Sequence, residues 1–154
     1  MGGMGSMKGT IAAILLHEEE TKLPRAVPTA KIGASGALQG DSHSAAQPKR
    51  RLLATSKMHL DEAGLAPGDL REQIAVEGLD LDALPAGTKL RFGGAEAEVL
   101  GPCAPCLTIG GYLKVSDPEA FREKMTEKRG VFIRFDSAGY ELSVGDDVEV
   151  VPSA

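Results

Sequence analysis

The chain has 154 residues, 42% of them hydrophobic and 25% charged, a size and mix that suit a single domain with its own core. A net charge of -5 argues against a nucleic-acid-binding surface, and the absence of Trp argues against base-stacking platforms. No apolar run approaches the roughly 18 residues of a membrane span, and residues 11–16 are too short for a signal-peptide core, so no membrane or nucleic-acid partner is expected.

Residues 1–7 are glycine-rich without apolar period and are expected to be a disordered leader; a single domain is expected over 8–152. Residues 10–16 (TIAAILL) read as a buried first strand, Glu18, Glu19 and Glu20 as a solvated turn, and residues 23–28 as an extended stretch broken by prolines. Residues 32–40 form a glycine-rich loop that leads into Gly40-Asp41-Ser42-His43. Past Pro48 and the basic Lys49, Arg50 and Arg51, residues 52–54 read as a short strand. Ser56 is expected to cap a helix over 57–63 that Gly64 stops. Residues 67–69 turn, 74–76 form a strand, and 85–87 turn again.

Residues 88–92 and 95–100 alternate polar and apolar around Gly93-Gly94, the pattern of a two-residue hairpin. Asp117-Pro118-Glu119 is a helix start, with Phe121 and Met125 on one face. Lys128 and Arg129 are expected to end that helix by complementing its dipole, before Gly130. Residues 131–135 alternate as a strand, 136–139 turn it into a hairpin with 140–142, and 148–151 form the last strand. Many short strands, sharp turns and two short helices predict a mostly β fold, a closed or partly open antiparallel barrel.

Both cysteines of the chain, Cys103 and Cys106, stand at C-x-x-C spacing just after the second hairpin strand. Pro102 and Pro105 stiffen this segment and remove two backbone donors, so it continues neither strand nor helix. Buried inert thiols are one reading. A zinc site needs four ligands, and His17, His43 and His59 stand at no convincing spacing to the pair, so no zinc is expected. A thioredoxin-like pair would open a helix in a βαβ unit, and none surrounds it. A reactive thiolate that binds a metal cofactor or carries sulfur remains. Free cysteines without an export signal point to the reducing cytoplasm. His17 and His59 read as structural or solvated.

Gly40-Asp41-Ser42-His43, Pro48-Lys49-Arg50, Gly64 to Glu72, Ile74, and Val76 to Asp80 resemble successive motifs of the MOSC domain, the C-terminal part of molybdenum cofactor sulfurases. Leu84 to Gly87, Leu90 to Gly93, Pro102 to Cys106, Gly130 to Arg134 and Val144 to Asp146 continue the match in order, so the chain resembles a small standalone bacterial-type member. The resemblance implies a mostly antiparallel β-barrel. It implies Cys106 as the functional cysteine and molybdenum ligand, Cys103 as its helper, and His43, Arg50, Asp41 and Glu72 as cofactor-binding residues. Where the family reads Leu-Gly-Glu-Asn, this chain has Leu70-Arg71-Glu72-Gln73.

The implied function is binding of the molybdenum cofactor (molybdopterin), carriage of sulfur as a cysteine persulfide for sulfuration of a metal cofactor, or both. The implied partners are a pyridoxal-phosphate cysteine desulfurase as sulfur donor and a molybdoenzyme as acceptor. The alternatives are a molybdenum-dependent reductase of N-hydroxylated compounds served by an external redox partner, and a non-catalytic binding module.

Overall fold

The computed structural model describes residues 8–17, 24–34, 36–41, 51–102, 116–124, 128–136 and 138–151. Among the described residues ten strands are formed: β1 (Lys8–His17), β2 (Pro24–Val27), β3 (Thr29–Lys31), β4 (Leu52–Ser56), β5 (Ile74–Glu77), β6 (Lys89–Phe92), β7 (Ala95–Pro102), β8 (Val131–Phe135), β9 (Glu141–Ser143) and β10 (Asp147–Val151). Two short helices, α1 (Lys57–Ala63) and α2 (Pro118–Lys124), and a 3-10 turn at Leu81–Ala83 complete the described elements. None of the described helices is long and apolar enough to cross a membrane.

Seven strands close a barrel in the order β10-β6-β7-β8-β4-β5-β1, and the β1–β10 pairing seals it. β1 is long enough to serve three neighbours. Its first residues pair with β10, its middle with β5, and residues 14–17 with β2, which hangs outside the barrel. All barrel pairings are antiparallel except β4 with β5, which α1 connects as a crossover. Closure removes the sheet edges that would otherwise template association.

The alternation expected from sequence is the alternation observed. Leu90 and Phe92 on β6, Ala95, Ala97 and Val99 on β7, and Val131, Ile133 and Phe135 on β8 all face one core. Phe92 and Phe135 meet edge-to-face at 5.4 Å between ring centroids, a pairing worth about 0.5–1.5 kcal/mol beyond area burial. The Gly93-Gly94 turn closes its hairpin with Phe92 opposite Ala95.

On β4, Leu52 and Ala54 join this core, so Leu53 and Thr55 face outward, yet every residue of the strand is buried. The wall is therefore covered on both faces at β4. A small second cluster of Leu60, Leu70 and Ala75 packs α1 on the outside.

Two local expectations are corrected. Residues 140–142 do not pair back on β8, because β8 already has β7 on one edge and β4 on the other. β9 pairs instead with β3 as a separate two-stranded sheet. Ser56 does not cap α1 with its side chain. Its Oγ accepts the Leu81 N–H at 2.7 Å, tying β4 to the 3-10 turn. The cap expected at Asp117 is formed: its Oδ1 accepts the Ala120 N–H at 3.1 Å. The Phe121–Met125 pairing falls outside the described side chains.

Candidate functional site

The covered outer face of β4 holds a buried polar cluster centred on Glu72. This residue precedes β5 and is fully buried. Its Oε2 accepts the Thr55 hydroxyl at 2.9 Å, and its Oε1 accepts the Leu70 N–H at 3.2 Å. Next to it, Gln73 stitches the segment to β4: its Oε1 accepts the Leu53 N–H at 2.8 Å, and its own N–H reaches the Leu53 carbonyl at 3.0 Å.

Asp41 belongs to the same network. It is buried, and its Oδ1 accepts the His17 N–H at 2.7 Å. The His17 ring is buried too, with Nε2 3.0 Å from the Glu72 carbonyl oxygen. Two residues implied by the resemblance, Asp41 and Glu72, are thus joined through His17, which the sequence marks only as structural. His43, Arg50, Cys103 and Cys106 lie outside the described residues.

The backbone is forced to present Glu72 this way. Arg71 has φ 64°, the one described non-glycine residue in the left-handed region. Glycine takes that conformation without steric cost, and the family's Leu-Gly-Glu-Asn places glycine at this position. The departure noted in sequence is therefore a substitution at a strained backbone position.

Arg129 supplies the positive charge. It is 8% exposed, and its Nε and Nη1 are buried with no hydrogen-bond partner among the described residues. Arg129 packs where its charge acts on Glu72; residues 125–127, which link it to α2, lie outside the described residues, and with them the expected end of that helix. Gly130 makes the approach possible. It has φ 100°, and a Cβ there would stand 2.7 Å from the Ala54 carbonyl oxygen. Sequence reasoning missed Arg129 because a basic pair before glycine is also how helices end.

Burial pushes the Glu72 carboxyl above the ordinary carboxylate range, opposed by backbone N–H groups, the Thr55 hydroxyl and the Arg129 charge. The cluster therefore contains a carboxyl that can hold a proton and a guanidinium with unsatisfied donors. A buried guanidinium without acceptors is costly, and an anionic group is what satisfies it. Arg129 stands two residues before Val131, which pairs with Pro102, the residue before Cys103.

The fold and this cluster define a small closed β-barrel with a buried polar cluster on the outer face of β4. The MOSC domain family model matches residues 40–149, and the chain belongs to that family. Among solved structures, the chain is similar to the YuaD protein from Bacillus subtilis (TM-score 0.77, 18% identity, 96% of this chain and 98% of that one). It is also similar to YiiM from Escherichia coli (TM-score 0.66, 19% identity, 94% of this chain and 71% of that one). YiiM from Geobacillus stearothermophilus matches alike (TM-score 0.66, 17% identity, 94% and 75%). At these identities the likeness speaks for the fold. No curated protein matches the chain.

Proposed function

We propose that this MOSC-domain chain binds the molybdenum cofactor and carries sulfur for it as a persulfide on Cys106. The observation that carries this reading is Arg129: a buried guanidinium, short of acceptors, within the segment matched by the family model. An anionic cofactor supplies the missing acceptors, and a planar guanidinium suits a phosphate or other oxyanion by paired hydrogen bonds. When bound, the cofactor supplies a soft metal centre with affinity for thiolate and sulfide.

The chain's own residues divide the work. Arg129 holds the anion. Glu72, oriented by Thr55 and the Leu70 N–H, holds or releases a proton beside it. His17 and Asp41 fix the floor of the cluster. His43 and Arg50 add cofactor contacts. Cys106 attacks the terminal sulfur of a donor persulfide, the donor's S–S bond breaks, the donor leaves as a thiolate, and Cys106 keeps the sulfane sulfur. Cys103 then resolves the product by attack on the Cys106 sulfur within the C-x-x-C motif, forming a disulfide with Cys106 as hydrosulfide leaves. A cysteine desulfurase is the donor class that fits, and a molybdoenzyme the acceptor, in the cytoplasm.

The test is loading. Protein from a host that makes the cofactor is assayed for molybdenum, pterin and a persulfide mass adduct, for the wild type and for Arg129→Met in a Glu72→Gln background that keeps the charge balance. Retention in the wild type and its loss in the double variant support the reading. A wild-type protein with neither cofactor nor persulfide overturns it.

A further inference from the structure

A second cluster, reached from Gly130 through its N–H to Asp82, shares no residue with the site above. His59 comes from α1, and Asp80 and Asp82 come from the segment between β5 and the end of the 3-10 turn. One ligand atom from each lies within 4.8 Å of the others. The His59 Nε2 stands 3.0 Å from Asp80 Oδ1 and 3.9 Å from Asp82 Oδ1.

Two further features turn this from a charge cluster into a shaped site. The Asp82 side chain is only 4% exposed, and its Oδ1, facing the His59 ring, is buried without a hydrogen-bond partner among the described residues. Its other oxygen is fixed, since Oδ2 accepts the Gly130 N–H at 2.9 Å. The imidazole is fixed as well: the His59 Nδ1 lies 3.1 Å from Glu62 Oε1, which leaves Nε2 turned to the two aspartates. A carboxylate behind a histidine is the arrangement that orients metal-ligating imidazoles. Lys128 stands 3.8 Å from Glu62, on the far side of the imidazole's partner.

We propose that His59, Asp80 and Asp82 bind one divalent first-row transition-metal cation, with Glu62 orienting His59 and the Gly130 N–H orienting Asp82. One imidazole nitrogen and two carboxylate oxygens are the donor set of zinc or manganese sites that keep positions for water. A cation there gives the buried Asp82 Oδ1 its partner, in the place otherwise left to the imidazole proton. It also clamps α1 to the 80–82 segment and, through Asp82, to the turn that carries Arg129. The expectation of no zinc weighs the histidines against the cysteine pair alone; His59 stands 21 and 23 residues before Asp80 and Asp82, a separation that no short ligand motif shows.

The test uses the full chain, stripped with chelator, in a Cys103→Ser/Cys106→Ser background that removes thiolate binding. Zn²⁺ alone is titrated by calorimetry, with Co²⁺ absorption as a second readout. The expected result is a single equivalent bound, with binding lost in His59→Gln and in Asp80→Asn, and weakened about tenfold or more in Glu62→Gln. The Asp80 side chain is 42% exposed, so Asp80→Asn tests the site without threatening the fold. No binding in the cysteine-free protein overturns the proposal, as does undiminished binding in His59→Gln or Asp80→Asn. Either failure leaves the cofactor reading standing, since that reading uses none of these side chains.

Discussion

At the scale of single residues, Arg71 and Glu72 are neighbours under opposite constraints. Arg71 is held at φ 64°, where a β-carbon is a liability. Comparing Arg71→Gly with Arg71→Ala removes the same side chain twice and isolates the backbone. We expect the glycine variant to be the more stable of the two by about 1 kcal/mol in chemical denaturation. Equal stabilities would mean that the left-handed conformation is not held in solution. Glu72 carries a raised pKa because its burial outweighs its hydrogen bonds and the Arg129 charge. A carboxyl whose folded pKa lies above its unfolded value binds more protons in the folded state. It costs nothing below the ordinary carboxylate range, and stability falls as pH rises from there through the folded pKa. Unfolding measured across that window should show this fall in the wild type and lack it in Glu72→Gln. A wild type whose stability rises throughout the window would contradict the assigned direction.

At the scale of elements, β4 organises the wall because both of its faces are covered. Two contacts at its end are expected to be costly to lose. Ser56→Ala strands the buried Leu81 N–H and should cost about 1–3 kcal/mol, without the loss of α1 helicity that a broken cap would give. Gly130→Ala meets both a left-handed backbone and the Ala54 carbonyl, and should cost about 2 kcal/mol or more in thermal unfolding. A Gly130→Ala variant as stable as the wild type would mean that the turn next to Arg129 is not packed against β4. The elements themselves were legible wherever local chemistry decides them. Period-two alternation marked β6, β7 and β8, Gly93-Gly94 marked their hairpin, and Asp117 marked the start of α2. The partner of β9 was not legible, because a turn at 136–139 looks the same whether or not β8 still has an open edge. Ser56 departs from expectation for a similar reason: a serine before a helix is a good cap until a more distant N–H competes for its hydroxyl.

At the scale of the whole molecule, barrel closure rests on β1 reaching β10 and β5 across most of the chain, which no local pattern records. The site shows the same division. Asp41 and Glu72 were reachable through family motifs, whereas Arg129, Thr55 and His17 become site residues only when the barrel brings 17, 41, 55, 72 and 129 together. The proposed division of labour between the cysteines also belongs to this scale, since the proposal joins cofactor, barrel and both thiols. Cys103→Ser should retain part of the sulfur or cofactor loading, and Cys106→Ser should lose it. Equal losses in both would mean that the two thiols act as a pair. The most direct measurement is therefore native mass spectrometry with molybdenum and pterin analysis of wild type and Cys106→Ser, purified from the same cofactor-making host and checked by circular dichroism. The account predicts a wild type carrying cofactor or an added sulfur atom and a well-folded Cys106→Ser carrying neither; full loading of a well-folded Cys106→Ser would contradict it.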